Sequence, residues 1–136
     1  MTQTIVNAFV LCLMAHMVGD YVIQSDWMAT QKTKSPLVAL IHGLTYGIPF
    51  LPVVQLAPWP AYAWLTLTLT HAVIDHFSLA RHLVWFKNQL APYAYRPPHT
   101  ATGHGLDRPD WLAVWLVIIV DNLVHMAINV ASVVWL

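Results

Sequence analysis

Apolar positions dominate four stretches of the chain, and the polar positions gather between them. The pattern predicts helices over about 5–23, 36–56, 61–83 and 110–135, each close to the ~20 residues needed to cross a bilayer. The expected fold is therefore all-α, a polytopic membrane protein built as a four-transmembrane-helix bundle. It is read as a single domain over 1–136, with one long loop at 84–109. The opening residues Met1-Thr2-Gln3-Thr4 lack the positive start of a secretory signal, so the first helix is read as retained. Pro36 suits the first turn of the second helix, where its missing N–H does no harm. Pro49 and Pro52 bend the end of that helix, and neighbouring groups must take up the freed carbonyls. Ala57-Pro58-Trp59-Pro60 makes a short turn with an interfacial Trp, and Asp110 marks a capped start to the last helix.

The polar residues inside these apolar stretches fall at helical spacing. His16 and Asp20 are four apart and lie on one face, which Gln24 extends by another turn; Gly19 beside them would let a second helix approach closely. His42 and Tyr46 share a face of the second helix. His71 and Asp75 repeat the pairing in the third, continued by Ser78 and His82. Asp121 and His125 give it in reverse order in the fourth, followed by Asn129.

Composition agrees with a membrane setting. Hydrophobic residues make up 58% of the chain and charged residues 9%, with no Glu, far from the roughly 25% charge of a soluble domain. Six basic residues balance six acidic ones, which leaves no basic surface for nucleic acid. Cys12 stands alone, so no intrachain disulfide can form. All six Lys and Arg lie in or beside the first and third connections. The positive-inside rule places those connections in the cytoplasm and both termini outside, with a bacterial inner membrane as the expected location.

Counted from that cytoplasmic side, His16, Asp20, His42, His71, Asp75, Asp121 and His125 come to similar depths and are expected to meet in one layer beneath the long loop. Ionisable groups in hydrocarbon are costly and mark function. Neutral imidazoles with carboxylates suit a divalent transition metal (Zn, Fe, Mn or Ni), as one or two ions held between the helices of a bundle. All seven are candidate metal ligands, with Asp20, Asp75 and Asp121 also candidate catalytic carboxylates. Such a centre activates water, which points to a hydrolase acting on a lipid-linked or anionic, membrane-accessible substrate. Gln24 and Lys32 are candidate substrate contacts at its mouth. The structural counter-reading is that the His–Asp pairs only hydrogen-bond one another. A haem between two facing histidines is a further option. His76, His82, His99 and His104 are read as ordinary helix-end and loop residues; Arg81 and Arg96, with Lys32, set topology, and one of the three is a candidate contact for an anionic head group. Membrane lipid is the expected partner, with a homo-oligomer as a further expectation. The alternatives are a non-enzymatic ion, metal or proton carrier or channel, or a phage envelope-interaction protein.

His16-x-x-Gly19-Asp20-Tyr21-x-x-Gln24, then Asp26-Trp27-Met28, Lys32, His42, His71-x-x-x-Asp75 and Asp121-x-x-x-His125, resembles an uncharacterised family of small bacterial and phage integral membrane proteins, the DUF3307 group. Asn122 stands where that pattern has Gln. A looser similarity of the spaced His/Asp pairs is to inner-membrane proteins labelled metal-dependent hydrolases. The first resemblance implies the membrane fold and the site positions, and no particular reaction.

Overall fold

The computed structural model describes residues 2–98 and 101–136. The chain is all-α: among the described residues it contains six α-helices and no strand. They are α1 (Thr2–Val18), α2 (Asp26–Gln31), α3 (Pro36–Tyr46), α4 (Pro60–Phe77), α5 (Leu79–Asn88) and α6 (Asp110–Trp135). Two stretches, Ile5–Ile23 and Asp110–Trp135, are long and apolar enough to cross a membrane; Pro36–Phe50 is a shorter apolar helix. The chain divides into two compact units, one of Met1–Phe77 with His125–Leu136 and one of Ser78–Val124.

In the first unit, α1 passes at Val18 into a π-helical turn, Gly19–Ile23, closed by Gln24 N donating to Gly19 O at 3.2 Å. The turn carries Asp20. Gly19 is there because Tyr46 lies against it: a Cβ at this position would come within 2.5 Å of the Tyr46 ring. Ser25 caps α2, its Oγ accepting from Met28 N at 3.3 Å, and Ser35 caps α3 in the same way from Val38 N at 3.4 Å, with Pro36 in the first turn as its lost N–H allows.

The second helix is shorter than the pattern over 36–56 predicts. It stops at Tyr46, and two 3-10 turns, Ile48–Phe50 and Val54–Leu56, carry the chain onward. Pro49 and Pro52 supply no N–H to an α ladder, and the Gly47 carbonyl is instead taken up by Phe50 N at 3.1 Å and Trp64 Nε1 at 2.8 Å.

α3 and α4 pack with their backbones close together. A Cβ on Gly43 would lie 2.6 Å from Thr68 O, and one on Gly47 would overlap the Thr68 methyl group. Gly43 and Gly47 thus form a small-xxx-small seam, the device that lets helices approach where hydrophobic burial gives no drive. The apolar core around it holds Ala8, Cys12, Tyr46, Phe50, Leu67 and Val133.

The helix expected over 61–83 is broken: α4 ends at Phe77 in the first unit, Ser78 takes a left-handed conformation (φ 49°, ψ 50°), and α5 begins the second unit's helices at Leu79. The segment read as loop from 84 is therefore helical to Asn88. The rest is tied back onto α5. Asn88 Nδ2 donates to Gly103 O at 3.0 Å, and Gly103 (φ 72°) sits where a Cβ would strike the backbone of Arg81 and Trp85. Gln89 Nε2 reaches Pro97 O at 3.1 Å and Arg96 Nε reaches Ala91 O at 2.8 Å. Burial, with Arg108 and Lys87 nearby, holds the His104 imidazole below the ordinary histidine range. His99 lies outside the described residues.

Candidate metal centre

Four segments of the first unit each contribute to one buried polar cluster: α1 with its π-turn gives His16 and Asp20, α3 gives His42 and Tyr46, α4 gives His71 and Asp75, and α6 gives His125 and Asn129. All four imidazoles are essentially inaccessible (0–2% exposed), while the Asp20 side chain keeps 11% and Lys32 17% of their surface, marking the side from which the cluster is reached.

At its centre the Nε2 atoms of His42 and His71 face each other at 2.9 Å. Asp20 Oδ1 lies 3.3 Å from both. Asp75 Oδ2 lies 3.2 Å from His42 Nε2 and 3.1 Å from His71 Nε2. Two triangles of donor atoms therefore share the imidazole edge. Donors bound at 2.0–2.2 Å in a tetrahedral shell are roughly 3.3–3.5 Å apart, so each triangle is close to the size of one face of such a shell. Two overlapping sets, Asp20 with His42 and His71, and Asp75 with His71 and His125, keep all their donor atoms within 4.8 Å of one another and could hold a metal ion.

One atom tests the fit. Asp20 Oδ1 is buried and takes part in no hydrogen bond with the described residues, although two imidazole nitrogens stand beside it. A buried carboxylate oxygen without a donor is costly. With the imidazoles neutral, two carboxylates and the Lys32 ammonium leave one net negative charge in the cluster, which a cation would offset.

Around this centre the remaining groups orient its members. Lys32 Nζ donates to Asp75 Oδ2 at 2.7 Å and to Gln24 Oε1 at 3.0 Å, so both candidate substrate contacts are linked to the cluster. The other Asp75 oxygen is 3.5 Å from His125 Nε2. Asn129 Nδ2 donates to Tyr46 Oη at 2.6 Å, and the same phenol oxygen is hydrogen-bonded with His16 Nδ1 at 2.9 Å. His16 Nδ1 is also 3.4 Å from Asp20 Oδ2, so this histidine stands behind the carboxylate rather than in either donor set. The Tyr46 ring stacks flat on His71, centroids 3.6 Å apart and planes 12° from parallel. The Nδ1 atoms of His42 and His71 have no hydrogen-bond partner among the described residues, so for His71 packing against Tyr46 sets the ring plane.

Six of the seven residues singled out in the sequence thus come together. Asp121 falls in the second unit and belongs to neither donor set. The stripe expected through Ser78 and His82 stops at Asp75, because the left-handed Ser78 ends α4. His76 meets the loop after α2, its Nδ1 lying 2.9 Å from Lys32 O. The Tyr46–Asn129 hydrogen bond was not legible from spacing, since it joins residues 83 positions apart.

The fold and the cluster define an all-helical protein with two helices long and apolar enough for a membrane and a buried His/Asp centre able to hold a metal ion. The chain belongs to the family described as "Protein of unknown function (DUF3307)", whose model matches residues 8–136. No curated protein and no solved structure matches it.

Proposed function

We propose that this protein is a four-span membrane enzyme in which the His/Asp cluster holds one or two divalent transition-metal ions and hydrolyses a lipid-linked or otherwise membrane-accessible substrate. The observation that carries the reading is Asp20 Oδ1, buried without a donor and placed 3.3 Å from two imidazole nitrogens that are themselves 2.9 Å apart. His42 and His71, with Asp20 on one side and Asp75 on the other, would hold the ion; His125 would complete the second set. When bound, such an ion supplies Lewis-acid polarisation and activation of water near neutral pH. The chain's own residues do the rest. Tyr46 fixes the plane of His71, and Lys32 neutralises Asp75 and, with Gln24, presents an ammonium at the mouth where an anionic group arrives.

Support for the membrane comes from the surface. Phe9, Val10, Leu13, Met14 and Met17 stand exposed on α1, and Trp115, Ile119 and Leu123 on α6. α4, 18 residues long, reaches about 27 Å, while α3 needs its 3-10 turns to approach that depth. An apolar groove of about 460 Å³ between α3 and α4, lined by Leu40, Leu69, Val73 and Phe77 among others, suits an acyl chain. By the distribution of Lys and Arg, both termini face out of a bacterial inner membrane.

Metal analysis of the purified protein tests the centre. One to two equivalents per chain are expected, falling to background in His42→Ala and Asp75→Ala; a metal-free wild type would end the proposal. Hydrolysis is then sought on phospholipid vesicles with metal-loaded and chelated protein.

A second reading, a proton or cation carrier, is favoured by the unbroken run of polar contacts from Lys32 through Asp75, His71, Asp20, His16 and Tyr46 to Asn129. Proton flux in liposomes that survives chelation would select it over the hydrolase.

A further inference from the structure

The second unit carries a surface that the metal centre does not use. Within α5, Ala80 and Val84 point inward and are buried, whereas Leu79, Leu83 and Phe86 are 42%, 48% and 63% exposed, and Leu90 in the following turn is 79% exposed. Their offsets of zero, four, seven and eleven place all four within one narrow stripe of a helical surface. His82 and Lys87 border the stripe on either side at 100° per residue. Tyr93 and Tyr95 stand almost fully exposed just beyond it.

The charge of this segment has one sign. From Ser78 to Pro98 the chain contains Arg81, Lys87 and Arg96 and no acidic residue, although the protein as a whole is balanced. With ten residues, α5 is about 15 Å long and falls far short of the ~30 Å hydrocarbon core, so it cannot cross a bilayer. An exposed apolar stripe, a cation at its border in Lys87 and adjacent tyrosines are the three features of a helix lying in the plane of a lipid interface.

We propose that α5 and the Tyr93–Tyr95 turn form an interfacial element that docks on a membrane surface containing anionic lipid. The leucines and Phe86 enter the acyl boundary, the tyrosines sit at headgroup level, and Lys87 and Arg96 meet the lipid phosphates, while Arg81 lies on the opposite face of α5. Charge complementarity selects lipid over a second copy of the chain, whose matching surface would carry the same positive sign. The docking requires membrane insertion and is independent of metal.

The full-length chain tests it in vesicles. In a Cys12→Ala background, a fluorophore is placed at Leu83→Cys or, as a reference on α1, at Met14→Cys, and quenching by lipids spin-labelled at the headgroup or deep in the acyl chain is compared between zwitterionic vesicles and vesicles with a third anionic lipid. The Leu83 position should be quenched by headgroup labels, more strongly with anionic lipid, and less at high salt. Lys87→Glu with Arg96→Glu should lower the anionic-lipid preference roughly tenfold or more. A Leu83 label that stays in water, that is quenched only by deep labels, or that ignores lipid charge overturns the proposal. A Met14 label unquenched at any depth overturns membrane insertion, and the docking with it.

Discussion

The Lys32 ammonium lies 2.7 Å from Asp75 Oδ2, the same carboxylate oxygen that faces the Nε2 atoms of His42 and His71 at 3.2 and 3.1 Å. A protein cation and a candidate metal donor set therefore converge on one buried atom. Each stabilises the charge on Asp75, and each weakens the other's hold.

That competition gives the first prediction. Lys32→Met removes the fixed cation and leaves a buried carboxylate uncompensated, a loss of up to about 3–5 kcal/mol in metal-free protein. Metal affinity should rise, by roughly tenfold, because the incoming ion no longer shares Asp75. Thermal unfolding with and without metal reads both effects: the variant should regain more Tm on metal addition than the wild type, and equal gains in the two proteins would refute the coupling.

Tyr46→Phe deletes a hydroxyl that links Asn129 to His16 at 2.6 and 2.9 Å. Two buried partners lose their hydrogen bond, which should cost about 1–3 kcal/mol each way the network is cut. The ring and its stacking on His71 survive, so metal stoichiometry should stay at the wild-type value. A double-mutant cycle with Asn129→Leu should be strongly non-additive; additivity would mean that the two side chains do not act through one bond.

Gly43→Ala forces a methyl group against the Thr68 carbonyl, which is backbone and cannot swing away. Separation of α3 from α4 should destabilise the protein by about 1–3 kcal/mol and pull His42 from His71, lowering metal affinity as well. Retention of full affinity with reduced Tm would show that the imidazole pair does not depend on this seam.

Acidification should loosen the second unit. The folded state holds His104 below the usual histidine range through burial and the nearby Arg108 and Lys87, so it favours the neutral ring. The stability this contributes is present above the unfolded value, about 6.5, and is lost as pH falls through the folded one. Hydrogen exchange around Asn88 and Gly103, corrected for intrinsic rates, should speed up from pH 7 to pH 5, and His104→Gln should flatten that dependence. Unchanged protection at pH 5 would count against it.

The parts of the fold that depend on periodicity were legible in the sequence. Spacings of four put His16 with Asp20 and His71 with Asp75, and the imidazoles of α1, α3, α4 and α6 meet in one cluster as the shared spacing suggested. What escaped depends on contacts rather than spacing. Ser78 ends α4 in a conformation that few side chains adopt, with no Gly or Pro to announce it. The π-turn at Gly19–Ile23 leaves the four-residue spacing of His16 and Asp20 unaltered in the sequence while changing the helix that carries them. Gly43 and Gly47 went unremarked in the sequence, because their partner, Thr68, is identifiable only once α3 and α4 are placed. Asp121 shares the helical face of His125 yet belongs to the other unit, a division that one-dimensional spacing does not reveal.

Because the donors come from α1, α3, α4 and α6, the order of synthesis becomes the order of assembly. His125 emerges last, so a chain stopped before it carries Asp20, His42 and His71 but lacks the imidazole that faces the outer oxygen of Asp75. An ion held by the proposed second set would then report that the C-terminal helix has been delivered.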